Sequence, residues 1–330
     1  MSTSGNDANS GTADAPFRTI QAAADAATPG TTVHVAPGTY AEAIHSRTDG
    51  TAAAPIVYVS DVPGGAVIKP SGETSVLWWD DGAYVTIKGF DIDGSASPSV
   101  RNGIYLSGAH SSAVSNEVHH INQVGVDDSQ GGGGIILGGG YYGHTDQNAI
   151  GNSVHDIGGA TFFQGIYHQD TGSVVNNVVY NVAGMGISLW HDVHDVTIAN
   201  NTVYDNGYGI GFGAGDWYGT STPANNIRVV DNIAYANEIG IGDMGSVGTQ
   251  NVVDHNMAVG NGTNYNLQSG MAHTNDITGD PHFMNYSADN VHLAAGSPAI
   301  NTGIAAGVTV DMDGVARGVA PDLGAYEWHI

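Results

Sequence analysis

Residues 165–210 read GIYHQDTGSVVNNVVYNVAGMGISLWHDVHDVTIANNTVYDNGYGI. Two phrases alternate along this stretch. Gly-Ile opens a short run at Gly165, Gly186 and Gly209, and an Asn followed by β-branched residues stands between them at Asn177 and Asn201. The same phrases extend outward as GIYL (103–106), GIIL (134–137) and GIGD (240–243), and as NEVH at 116, NSVH at 152, NIAY at 232 and NMAV at 256. The intervals within either phrase run from 21 to 36 residues and centre near 24. The intervening residues form β-branched runs punctuated by Asn, Gly and Asp, with no stretch of helical period. A unit of this kind cannot bury its apolar side alone, and stacking copies of it buries a continuous core. The expected fold is all-β, a right-handed parallel β-helix of roughly ten coils, each rising ~4.8 Å.

Inward positions then carry Ile, Val and Leu. Asn116, Asn152, Asn177, Asn201, Asn232 and Asn256 are expected to stack as a ladder, each amide bonding backbone at a tight turn. A solenoid also needs its open strand edges covered. FRTIQAAADAA (17–27) reads as an amphipathic helix with Phe17, Ile20, Ala24 and Ala27 on one face, placed to plug the N-terminal end. Residues 1–14 are expected to be disordered or extended, 15–280 to form the β-helix with its cap helix, and 281–330, which leaves the repeat, to be a C-terminal capping segment of the same domain.

The opening GNDANSGTADAPFRTIQAAADAATPGTTVHVAPGTYAEAI resembles the start of right-handed parallel β-helix proteins of the pectate lyase superfamily, especially polysaccharide lyase family 9. The ending DPHFMNYSADNVHLAAGSPAINTG…VDMDGVARGVAPDLGAYE resembles a C-terminal segment of bacterial proteins of this kind. With the repeats, the resemblance covers nearly the whole chain. It implies the fold, and a choice among lyases, epimerases, glycosidases and non-catalytic surface proteins. Family 9 enzymes use a lysine base and an aspartate-bound calcium. The only lysines here, Lys69 and Lys88, match no family motif, so the lysine role is not carried over.

Charge narrows the partners. The 330 residues hold 7 Lys+Arg against 32 Asp+Glu, a formal net charge of −25, so nucleic acid is excluded as a partner by repulsion. An acidic polysaccharide faces the same repulsion unless a cation bridges it. Calcium held by Asp residues would supply that bridge. Cysteine is absent, which removes thiolate and disulfide chemistry. Glycine, 49 residues, is about twice its usual ~7% share. An acidic, Gly- and Asn-rich, cysteine-free chain points to a secreted or cell-surface protein. MSTSGNDANSGT has no apolar leader region, and no apolar run is long enough to span a membrane. A monomer is expected.

If the Gly-Ile strands stack, their residues form columns. The first outward column is Tyr105, Ile136, Tyr167, Ser188, Gly211 and Gly242; the second is Ser107, Gly138, Gln169, Trp190, Gly213 and Met244. SVLWWDDGAYVTI (75–87) aligns without a gap to GISLWHDVHDVTI (186–198), which sets Trp79 in the column of Trp190, with Asp80 and Asp81 level with His191 and Asp192. Glycine-rich columns leave a shallow groove in which aromatic rings serve as platforms for sugars. Segments around 127–133, 139–147, 158–164 and 214–224 are expected to wall it.

The expected catalytic residues are Tyr167, His168, Asp170, His191 and Asp192. The expected substrate-binding residues are Trp79, Arg101, Tyr105, Gln169, Trp190, Asp216, Trp217 and Tyr218, with Arg228 a further candidate for a carboxylate. β-Elimination from a uronate needs a base for the C5 proton, an acid for the leaving oxygen and a cation on the carboxylate. His168 or His191 suits the base and Tyr167 the acid. C5 epimerisation uses similar parts. A glycoside hydrolase would use two of Asp170, Asp192 and Asp216, and a non-catalytic glycan-binding module would need only the platforms. Against these stand plainer readings. His168 occupies an inward position and suits a hydrogen-bonded core histidine. His119 and His155 share a column with Tyr180, Tyr204 and Tyr235, which suits a structural stack. Asp91 and Asp93 suit turns. His191 and His194 lack a third zinc ligand of fixed spacing.

Overall fold

A computed structural model describes residues 1–122, 131–138, 143, 145–159, 161–215 and 222–329. The segments 123–130 and 216–221 and most of 139–144, expected to wall the groove, lie outside the described residues.

Each coil visits three parallel sheets in turn, and the coils wind as a right-handed β-helix. The first sheet runs from Thr32–Val35 to His273–Thr274, the second from Gly38–Tyr40 to Met257–Val259, and the third from Ile44–Ser46 to Thr263–Asn266. Alternate residues point inward and fill a single core of Ile, Val, Leu and Ala, with Tyr58, Trp78 and Phe90 meeting edge to face near the N-terminal end.

The corner between the first and second sheets explains the asparagine content. In six successive coils the chain turns through one residue of positive φ: Ser115, Gly151, Asn176, Asn200, Asp231 and His255. A ladder Asn follows each. The Asn152 Oδ1 accepts from the backbone N–H and the Nδ2 of Asn116 at 3.0 and 3.1 Å. Asn177, Asn201, Asn232 and Asn256 repeat the pattern one coil further each time. All six amides are buried. They supply partners to backbone groups that the turn removes from the strand pairing, where an orphaned polar group is costly. A second ladder, Asn206, Asn237 and Asn261, occupies the next corner, between the second and third sheets. Sequence reading missed it, although each of these residues stands three positions before its Gly-Ile or Asn-Tyr strand.

The cap helix spans Ile20–Ala26, shorter than expected, because the Thr19 side chain caps it by accepting from the Ala22 N–H. The Glu42 carboxylate accepts from the N–H groups of Ile20 and Gln21. Ile20, Ala23 and Ala24 are buried against the first coil. Residues 1–14, expected to be disordered or extended, form turns, and they are tied down by Ser2 N–H to Phe17 O and Ala36 N–H to Met1 O.

The described part of the C-terminal segment, 281–329, covers the solenoid from the side. Outward residues of the second sheet (Val178, Tyr204, Ile233 and Met257) are apolar and pack under Val291, Leu293, Ala299, Leu323 and Ala325. Arg317, its side chain 1% exposed, bonds Glu327 and reaches Asn176 on the solenoid. The expectation of end closure overlooked this apolar outer face, which needed a cover of its own. No helix among the described residues is long and apolar enough to cross a membrane.

Replacing Asn201 by Ala removes the acceptor of the Asn177 N–H and the donor to Val174 O. With ~1–3 kcal/mol per orphaned buried group, the expected loss is about 3 kcal/mol or more, read as a lower urea midpoint. A change below about 0.5 kcal/mol, the range of neutral surface substitutions, would remove the ladder from the account.

Candidate active site

The third sheet carries the candidate site. Its first outward column, fixed by the strand register, is His45, Trp79, Tyr105, Ile136, Tyr167, Ser188, Gly211, Gly242 and Asn266. Trp79 therefore stands in the column of Tyr105 and Tyr167, not of Trp190. The ungapped alignment failed because the turn from Trp79 to Thr86 is two residues shorter than the one from Ser188 to Thr197, although Thr86 and Thr197 share a column on the first sheet. In consequence Asp80 is aligned with Leu106 and points into the core, and Asp81 follows it at the outward position of Ser107.

At the N-terminal end of this column a polar-aromatic cluster forms. The His45 ring stacks on Trp79, centroids 4.7 Å apart, and Trp79 meets Tyr105 edge to face at 5.6 Å. The Trp79 Nε1–H donates to Ser107 Oγ at 3.0 Å, which pins the indole. Arg47 approaches the His45 Nδ1 at 2.6 Å, and His45 Nε2 meets Asp81 Oδ2 at 2.7 Å. Trp79 is 39% exposed, with His45 covering one face of the indole. Sequence reasoning missed His45 and Arg47, because IHSR (44–47) lacks the Gly-Ile phrase; their only signal is their position one coil before VLWWD.

Three coils further, Tyr167 and His191 lie side by side, ring centroids 5.9 Å apart. His191 has φ +77, the left-handed turn conformation that recurs at the corners of this solenoid. Gln169 and Asp192 flank them, both half-buried. Trp190 is not a free platform. Its indole lies over Gly215 and Gly245, where a Cβ would collide with the ring. The glycines of this end thus make room for Trp190, Met244 and Tyr208 rather than leaving an empty trough.

His168 and Asp170 do not join the groove. His168 is fully buried in the core column of Leu106 and Leu137. Its Nε2–H donates to Gln147 O at 3.0 Å and its Nδ1 accepts the Asp170 N–H at 3.3 Å. Burial pushes the imidazole down to about 4, partly opposed by the Gln147 carbonyl, so the ring is neutral at pH 7. Asp170 is buried and accepts the Gly143 N–H at 2.7 Å. Both residues shape the corner beneath Tyr167. Asp80 is likewise buried and held by Ser46; burial pushes its carboxyl up to about 8. Arg101 lies at the leading edge of the strand Asn102–Leu106. Arg228 belongs to the first sheet, away from this face. Asp216, Trp217 and Tyr218 lie outside the described residues.

Calcium does not fit the carboxylates in view. Asp81 is engaged by His45 and Asp170 by Gly143, and no three groove carboxylates gather among the described residues. The three ligand atoms that do gather belong to Asp93, His119 and His120 on the second sheet, and two of them are imidazole nitrogens, which a hard oxygen-seeking cation disfavours. Two concavities also lie off this face. One, of about 440 Å³, is lined by Asp156, Asn181 and Asp205; the other, of about 520 Å³, lies beside Met1 and Phe17.

The family model described as Pel9A-like, right handed beta helix region, matches residues 1–276. Pectate lyase Pel9A superposes over 99% of this chain and 95% of its own, with a TM-score of 0.61 at 19% identity. A complex of XylC with xylose superposes over 80% of this chain and 66% of that one, with a TM-score of 0.64 at 15% identity. At these identities the likeness is one of fold. The uncharacterized protein YwoF of Bacillus subtilis (strain 168) is 31% identical over 140 residues, 40% of this chain; the chain covers 30% of that protein's length.

Because the folded His168 titrates near 4 against 6.5 in the unfolded chain, the unfolded state binds more protons between those values. The associated stability is complete above pH ~6.5 and is lost as pH falls toward 4, up to about 3 kcal/mol. His168→Gln should flatten urea stability against pH across that window. A slope equal to wild type would mean that His168 is charged or exposed.

Proposed function

Because the chain belongs to the Pel9A-like right-handed β-helix family, we propose that it is a polysaccharide-active enzyme, a lyase that cleaves a uronate-containing glycan by β-elimination along the third face. The observation that carries this reading is the single outward column of His45, Trp79, Tyr105 and Tyr167, with His191 beside Tyr167. His45, Trp79 and Tyr105 stand one coil, ~4.8 Å, apart and Tyr167 two coils beyond Tyr105, so a glycan laid along the axis meets a platform and then an acid–base pair three coils from Trp79.

In the reaction, the neutral His191 imidazole takes the proton from C5. The electrons of that bond form the C4–C5 double bond as the C4–O bond breaks, and the Tyr167 O–H protonates the departing oxygen. The proton on His191 then restores the Tyr167 phenol, and the site is regenerated. Arg47, beside the Trp79 platform, and Arg101, which precedes the strand of Tyr105, are the cations assigned to the uronate carboxylates. His168 and Asp170 hold the backbone behind Tyr167 and take no proton from substrate. Among the described residues elimination is better supported than hydrolysis, because Asp170 is buried and engaged and does not offer, with Asp192, two carboxylates facing one bond; Asp216, the third carboxylate of the hydrolase reading, lies outside them. The enzyme is read as a monomer acting on glycan outside the cell.

A panel of uronate polymers, followed by the ultraviolet absorbance of the unsaturated product, tests the reading. Tyr167→Phe and His191→Ala should each lower kcat about 10²- to 10⁴-fold with the thermal transition unchanged. Trp79→Ala should raise KM with little change in kcat. New reducing ends without the unsaturated chromophore would make the protein a hydrolase, and full activity in His191→Ala would remove the assigned base.

A further inference from the structure

We propose that Asp93, His119 and His120 form a binding site for a divalent transition metal ion of the zinc type, on the second sheet and independent of the glycan face. In a plain strand, successive side chains point to opposite sides. His120 has φ +57, and this left-handed step turns its ring to the side of His119, centroids 4.7 Å apart. The same corner position is taken by Asp156 and Asn181 on the next two coils, so the step belongs to the fold, but here it brings two imidazoles together.

The nitrogens that meet are His119 Nδ1 and His120 Nδ1. Each lies 3.9 Å from Asp93 Oδ1, and the three ligand atoms gather within 4.8 Å. Tetrahedral zinc with ligands at ~2.0–2.2 Å needs its donors about 3.3 Å apart, which small side-chain rotations supply. The tautomer of His119 is already set. Its Nε2–H donates to Asp91 Oδ1 at 2.9 Å, which leaves the Nδ1 lone pair toward His120. This carboxylate–histidine pair is the usual support behind a metal-bound imidazole. His120 Nδ1 meets that lone pair, and a cation between the two nitrogens would take both in place of the contact they make. Asp93 is anchored in turn, since Lys69 bonds its Oδ2 at 2.6 Å and the Ser95 N–H its Oδ1 at 2.8 Å. The His119 side chain is 13% exposed and that of His120 41%, which leaves an open side for entry and for a water ligand. Asp93 and His119 sit on adjacent coils, so the ion clasps one coil to the next.

Zinc chloride titrated into the dialysed, metal-free full chain and followed by calorimetry tests the site. One equivalent should bind at micromolar affinity or tighter, with little heat from calcium. His120→Asn keeps the left-handed preference shown by Asn181 and should weaken zinc at least 100-fold; Asp91→Asn should weaken it about 10- to 100-fold. His34→Ala, at an exposed histidine on the first sheet, should leave binding unchanged. Cobalt(II) at the site should give ligand-field bands that His120→Asn abolishes. Absence of zinc binding in the wild type, or binding untouched by His120→Asn, would overturn the proposal. Neither outcome bears on the lyase reading, whose residues lie on another sheet.

Discussion

A buried asparagine amide bonds to the backbone of the coil beside it, and the architecture depends on that repeated contact. A parallel β-helix leaves no freedom in register, because sliding one coil by a single residue sends its apolar side chains to the wrong face. The ladder amides hold the register at the corners, where strand hydrogen bonding lapses. Asn116 through Asn256 do so at one corner and Asn206 through Asn261 at the next. Once register is fixed, residues 20 to 30 positions apart become neighbours, and Trp79, Tyr105 and Tyr167 fall into one row.

The two outer faces of the solenoid use this geometry differently. On the second sheet the row of His119, His155, Tyr180 and Tyr204 stacks ring on ring, centroids 4.7 to 5.1 Å apart. Beyond it, the C-terminal segment covers the apolar residues of later coils. On the third sheet the stacking is broken by Ile136 and by glycines, and aromatic side chains remain open to solvent at the N-terminal end. A filled row stabilises the solenoid; a broken, exposed one leaves surface for a ligand. That contrast is the physical ground for placing glycan on the third face.

The fold was legible because its determinants are local and repeated. Gly-Ile runs, Asn after a turn residue and the absence of helical period all recur at a visible interval. The first ladder and the structural stack of His119 could be read directly. The site was legible only in part. Tyr167 beside His191 follows from stacking alone, but the row of Trp79 depends on a two-residue difference in one turn that no local pattern reveals. His168 looked ambiguous in sequence because imidazole serves equally as a base or as a buried donor and acceptor; its contacts with Gln147 and the Asp170 N–H make it the latter. The side-on packing of 281–330 was invisible for a different reason: it is decided by outward residues such as Ile233 and Met257, which a strand repeat treats as solvent-facing.

The central claim is that a glycan lies along the coil axis over one row of side chains. A crystal structure of the His191→Ala variant soaked with a uronate oligosaccharide tests it directly. The account predicts sugar rings stacked on Trp79 and Tyr105, with a glycosidic oxygen within hydrogen-bond reach of the Tyr167 hydroxyl. An oligosaccharide bound on the first or second sheet, or running across the coils instead of along them, would contradict it.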